Sequence, residues 1–211
     1  VHAYIRRLLE RYPDLAVCVP TIEAAYSVLV EAFQQQRKLL ICGNGGSAAD
    51  SEHIVGELMK GFRLRRALPA AVLERLKTEW PQEGAYIGKH LQGTLPAISL
   101  STHTAFATAY INDVAADLVF AQQVYGYGEQ GDVLLCISTS GRSTNVCHAA
   151  RVAHTLGLHT IGLTGSDGGL LATVCDITIC VPRSSVEDIQ EMHLPVYHTL
   201  CLMLEEHFFC E

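Results

Sequence analysis

Lys38-Leu39-Leu40-Ile41-Cys42-Gly43-Asn44-Gly45-Gly46-Ser47-Ala48-Ala49-Asp50 is the stretch that decides the fold. A short apolar run ends in glycines and passes into residues that favour a helix, which predicts a buried strand, a tight turn and a helix. Four more apolar runs follow, at Leu95–Leu100, Val133–Ile137, His159–Leu163 and Ile177–Val181. Helical stretches at Asn145–Leu156 and Gly168–Val174 separate the last three. Apolar strands alternating with helices imply a parallel sheet covered on both faces. Upstream, Thr21 stands as an N-cap before Ile22, Ala25, Val28, Leu29 and Phe33, an apolar set at helical spacing, so helices fill about 1–36. Downstream, Glu187–Phe209 reads as a long closing helix. Residues 65–94 break the pattern: Pro69, Pro81, Gly84, Gly88 and Gly93 surround Ala71–Lys77, which predicts a short helix inside a long insertion. With no internal repeat, 1–211 reads as one domain.

Composition narrows the classes. Of 211 residues, 49% are hydrophobic and 18% charged, enough apolar content to rule out disorder. A formal charge of −7 argues against binding along nucleic-acid phosphates. Arg63, Arg65 and Arg66 read as a solvated helix end. The eight cysteines form no CxxC pair, and several lie in apolar runs, as reduced core thiols do. No run of about 18 apolar residues is expected to span a bilayer, and the opening residues lack a signal-peptide core. The expectation is a soluble, cytoplasmic protein.

Two loops carry chemistry. Gly43-Asn44-Gly45-Gly46-Ser47 leaves the first strand, and Ser138-Thr139-Ser140-Gly141-Arg142-Ser143 leaves the third. Glycines let backbone N–H groups approach an anion, a helix N-terminus adds positive potential, and hydroxyls add donors. Ala48 stands where a dinucleotide motif needs its third glycine, so no nucleotide cofactor is expected. Two such loops in one chain favour a phosphorylated small molecule. On the helix after the first loop, His53 and Glu57 are four residues apart and share a face, a pairing suited to a divalent ion.

The Ser138–Ser143 loop resembles the signature of the sugar isomerase (SIS) domain family. Gly43–Ser47 with His53 and Glu57, and the later Ile189-Gln190-Glu191-Met192-His193, resemble its phosphoheptose isomerase branch. The resemblance covers most of residues 20–208, apart from the insertion. It implies an α/β, flavodoxin-like three-layer αβα sandwich with a five-stranded parallel sheet, and a homotetramer with interfacial sites. It also implies aldose–ketose isomerisation of a sugar phosphate, sedoheptulose 7-phosphate to D-glycero-D-manno-heptose 7-phosphate. Implied metal ligands, zinc first, are His53, Glu57, Gln190 and His198, with Glu57 and His198 as the proton-transfer pair. Implied substrate contacts are Asn44, Gly45, Gly46, Ser47, Asn112, Asp113, Ser138, Thr139, Ser140, Ser143 and Gln190.

Such a reaction moves a proton between C1 and C2 through an enediol, so one base must reach both carbons. Gln190 and His198 lie eight residues apart, about 12 Å along a continuous helix. Either the helix starts after Gln190 or different subunits complete one site. His193 and Tyr197 are read as structural, and Trp80 as ordinary packing. Other readings stay open: a non-catalytic sugar-phosphate-binding or regulatory relative, such as the replication-initiation factor of this family, or an isomerase of another sugar phosphate. Retention of Glu57 and His198 favours the enzyme.

Overall fold

The computed structural model describes residues 2–210. Helix α1 (Ala3–Arg11) and a 3-10 turn (Pro13–Cys18) lead into α2 (Val19–Gln34). Helix α2 starts two residues before Thr21 because Pro20 sits in its first turn, where a missing N–H costs nothing. Thr21 is therefore inside the helix, and its hydroxyl donates to the Cys18 carbonyl at 2.9 Å. Contrary to expectation, Pro13–Gln34 has the length and hydropathy to cross a membrane. Its side chains Ile22, Ala25, Leu29, Ala32 and Phe33 are buried in the core, the arrangement of a helix that covers a sheet.

Strand β1 (Leu39–Gly43) opens the sheet and α3 (Gly46–Met59) follows its glycine turn. Then come α4 (Ala70–Glu79), α5 (Gly84–His90), β2 (Ala97–Ser99), α6 (Thr104–Asp113), α7 (Val119–Tyr127) and β3 (Val133–Ile137). Helix α8 (Thr144–Thr155), β4 (His159–Thr164), α9 (Leu171–Val174), β5 (Ile177–Cys180) and α10 (Val186–Phe209) complete the chain. The stretch expected to be helical from Gly168 gives one turn only. Gly168 and Gly169 both take positive φ, at 71° and 56°, which keeps them out of a right-handed helix.

All five strands are parallel, in the order β2-β1-β3-β4-β5. Strand alternation divides the core in two. Leu39, Ile41, Val133, Leu135 and Ile161 face α2, α3 and α10, while Leu40, Cys42, Leu134 and Cys136 face α7 and α8. Helices on both faces make the three-layer α/β sandwich that the sequence pattern predicts.

The insertion is a helical hairpin rather than one short helix. Gly84 lets α5 meet the Leu76 carbonyl on α4, where a Cβ would collide. No α4 side chain is buried, and Trp80 is exposed, so it does not pack as expected. The hairpin leans on Arg65–Leu68 across a cavity of about 330 Å³.

The arginine cluster is also corrected. Arg66 is fully buried and its Nε donates to Glu205 on α10 at 3.0 Å. Its Nη1 and Nη2 donate to the carbonyls of Leu58 and Glu57 at 2.6 and 2.8 Å. Glu205 in turn accepts the N–H groups of Phe62 and Arg63 at 2.7 and 2.8 Å, and of Leu64 at 3.3 Å. A buried guanidinium needs its donors and charge met, and here every partner comes from a helix end or a turn.

Candidate active site

The strand order reverses between β1 and β3, and in open α/β sheets ligands bind at that crevice, beyond the strand carboxyl ends. Both glycine- and serine-rich loops leave these two strands. They are stitched together by Asn44 and Asn145, whose side-chain amides exchange two hydrogen bonds of 2.9 Å. Gly45 precedes α3 with φ 56°, a left-handed conformation that favours glycine. Ser47 is buried, and its N–H donates to the Asn44 carbonyl at 3.0 Å.

In the second loop, the hydroxyls of Ser138 and Ser143 lie 3.0 Å apart. Ser143 is the residue before α8 but gives that helix no side-chain cap, while Asn145 Oδ1 accepts the Val146 N–H of the first turn at 3.0 Å. Ser140 is exposed and its hydroxyl accepts the Arg142 N–H at 3.2 Å. Thr139 uses its carbonyl to hold Gly165, at 3.0 Å. Gly141 takes φ 61° because Gly168 crowds it, so the loop is tied to the turn after β4.

Further along α3, three of the expected acid–base and ligand residues converge. His53 Nε2 lies 3.2 Å from Glu57 Oε1 and 3.4 Å from His198 Nε2. Glu57 Oε2 meets Lys60 Nζ at 3.5 Å, and the carboxylate is largely shielded from solvent. Burial chiefly lowers the His198 pKa, His53 adds to the drop and Glu57 opposes it, so the neutral imidazole is favoured. The Phe62 ring packs at 5.3 Å from His198. An open cavity of about 570 Å³ reaches His198 between α1 and α10, with Arg7, Arg11 and Arg63 on its walls.

Gln190 is placed elsewhere. Helix α10 runs unbroken through Gln190 and His198, with Pro195 between them. The Gln190 carboxamide lies against Gly46, where a Cβ would strike it, nearly two turns of α3 before His53. Within one chain it joins the glycine loop rather than the histidines. Asn112 and Asp113 are exposed at the end of α6, where Asn112 Nδ2 donates to Asp113 Oδ1 at 2.8 Å. That exposure argues against a buried capping role for them.

Two residues read as ordinary, or passed over, belong to this region. Tyr197 is buried, and its hydroxyl donates to Asp50 Oδ1 at 3.2 Å and lies 3.0 Å from His53 Nδ1. Burial and Asp50 both push the Tyr197 pKa up, so it stays a phenol. Asp50 precedes His53 by three residues, a helical spacing that marks it as a neighbour in the sequence itself. His193 is fully buried away from the cluster, as its structural reading implies.

Among the described residues, no group of three or more His, Cys, Asp and Glu side chains is arranged to hold a metal ion. Two imidazoles and a carboxylate, those of His53, His198 and Glu57, are donor types that suit a divalent ion.

Comparison with known proteins bears on the family and the fold. The SIS domain family model matches residues 3–87 and 83–165. A phosphoheptose isomerase of Nitratiruptor sp. is 42% identical over 187 residues, 89% of this chain and 86% of that protein. The solved phosphoheptose isomerase of Neisseria gonorrhoeae matches with a TM-score of 0.74 at 31% identity, covering 97% of this chain and 96% of its own. That of Francisella tularensis matches with 0.76 at 29% identity, covering 97% and 95%. With its sheet order, its two loops and near full-length likeness to such proteins, the chain belongs to the SIS domain family, among the phosphoheptose isomerases.

Proposed function

We propose that the chain is an aldose–ketose isomerase that converts sedoheptulose 7-phosphate to D-glycero-D-manno-heptose 7-phosphate. The observation that carries this reading is the meeting of Glu57, His53 and His198 on α3 and α10, beyond two loops built to receive a phosphate. The phosphate is received by the Ser138–Ser143 hydroxyls and by N–H groups at the start of α8. Asn44, Gly45, Gly46, Ser47 and Gln190 line the neighbouring loop for the sugar, with Asn112 and Asp113 as further contacts. Glu57 is the base that takes the proton from one carbon and returns it to the other. His198, favoured as neutral imidazole, exchanges a proton with the carbonyl and hydroxyl oxygens. Packing of Phe62 against His198 limits the ring's freedom and keeps water from that side.

His53, Glu57 and His198 would hold a divalent ion such as zinc, and Gln190 would add to it only after moving away from Gly46. Such an ion supplies charge stabilisation to the enediolate oxygens. The chain works as a homo-oligomer, a tetramer with interfacial sites, and in the reducing cytoplasm, a location supported by eight free cysteines. Incubation with a panel of ketose phosphates, with and without chelator, tests the assignment. Aldose formation from the seven-carbon substrate supports it; turnover of only shorter sugars, or of none, overturns it.

A further inference from the structure

We infer that Asn145, in the first turn of α8, is a positioning residue that orients the Asn44 side chain and holds the two ligand loops together. Residues 44–47 leave β1 and residues 138–145 leave β3, its neighbour in the sheet. Among the described residues, one pair of hydrogen bonds joins these two stretches: the reciprocal contacts of the Asn44 and Asn145 carboxamides, each 2.9 Å. The loop that begins at Asn44 has little stiffness of its own, since Gly45 and Gly46 follow and Gly45 takes φ 56°.

A carboxamide can be turned end for end, so its orientation needs a cause. The backbone N–H of Val146 can only donate, and it donates to Asn145 Oδ1 at 3.0 Å. That fixes which end of the Asn145 amide is oxygen. Asn44 must then offer Nδ2 to that oxygen and its own Oδ1 to Asn145 Nδ2. The backbone of α8 therefore orients Asn145, and Asn145 orients Asn44. Each amide has two N–H hydrogens and spends one in this ring, so the second points outward as a donor. Two such donors stand at the seam between the serine loop and the glycine loop, where the oxygens of a phosphorylated sugar would accept them.

The inference rests on the proposed use of these loops, so its test includes a measurement that needs no turnover. Hydrogen–deuterium exchange on the full-length protein without ligand reads the amides of Ser47 and Ala48, which donate to the carbonyls of Asn44 and Gly45. Asn145→Ala should speed exchange in residues 43–50 about 10-fold, the scale of one or two lost hydrogen bonds. Asn145→Ser keeps a hydroxyl in the first turn of α8 but is too short to reach Asn44, and it should do the same. With the sugar phosphate, both variants should raise KM about 10-fold while kcat changes little, because the clamp serves binding and not proton transfer. Adding Asn145→Ala to Asn44→Ala should raise KM no further, since Asn145 acts through Asn44. Additive losses in that cycle overturn the proposal, as does faster exchange confined to residues 138–150, or unchanged exchange in both variants with native circular dichroism. Loss of protection in residues 43–50, in a protein that isomerises nothing, would sink the functional reading and leave the clamp standing.

Discussion

Glu57 is a carboxylate held by two cationic or protonatable neighbours and largely shut off from water. Replacing it with glutamine keeps the shape and removes the proposed base. Glu57→Gln should lower kcat on the order of 10²–10⁴-fold with an unchanged fold, as initial rates and circular dichroism would show; a loss below about tenfold contradicts the assignment. His193, on the same helix as His198, makes a different kind of prediction. Burial drives its pKa down from 6.5 to about 4, and both ring nitrogens are buried without a hydrogen-bond partner. The unfolded chain binds the proton at higher pH than the fold does. Stability is therefore full above about pH 6.5, declines as pH falls toward 4, and levels off below, a loss of up to about 3 kcal/mol. Urea unfolding at pH 7 and pH 4.5 checks this, and His193→Gln should remove that part of the slope.

Among the elements, the turn after α3 depends most on its distant partners. Arg66 and Glu205 together hold the last carbonyls of α3, the N–H groups of residues 62–64 and helix α10. Arg66→Met would leave a buried carboxylate without its cation and should cost about 3–5 kcal/mol in denaturant unfolding. Turnover should fall as well, because the same contacts set Glu57 and Phe62 beside His198. None of this was visible in the sequence, where Arg66 and Glu205 are separated by 139 positions and a run of arginines looks like a solvated surface. The strands were legible because burial on both faces writes itself as an uninterrupted apolar run, as in Val133–Ile137. His53 and Glu57 were legible because four residues make one helical face. Tyr197 was not, since a tyrosine in an apolar helix looks like core until its hydroxyl is seen to have partners.

On the scale of the whole molecule, the helical hairpin and the apolar side chains left outside the core point to further copies of the chain. Val17, Val114, Tyr86, Trp80 and Leu91 are each more than half exposed, and the cavity along α1 and α10 is open. Covering such surface is the ordinary result of an obligate interface. Light scattering should give a tetramer, and a stable, active monomer would refute this. The hairpin leans on Arg65–Leu68, just after α3, and it is predicted to lie over or beside the pocket mouth of its own or a neighbouring copy. Replacing residues 68–91 by a short Gly/Ser bridge should alter preference among sugar phosphates. Unchanged kinetics in a protein that is still oligomeric would reduce the hairpin to a subunit contact.

The order of the strands has a consequence in time. β1 bonds to β2 on one side and to β3 on the other, and Cys42 must find Cys136, 94 residues away. Closing loops of that length before any contact repays them makes folding slow. The α10 residues settle on α3 only after the sheet offers a face, so His198 reaches His53 in a late step. Refolding followed by far-ultraviolet circular dichroism should therefore run ahead of recovered turnover. In the interval the population would hold a formed sheet and both loops, yet lack the pairing of His53 with His198. A newly made chain would bind its sugar before it could transform it.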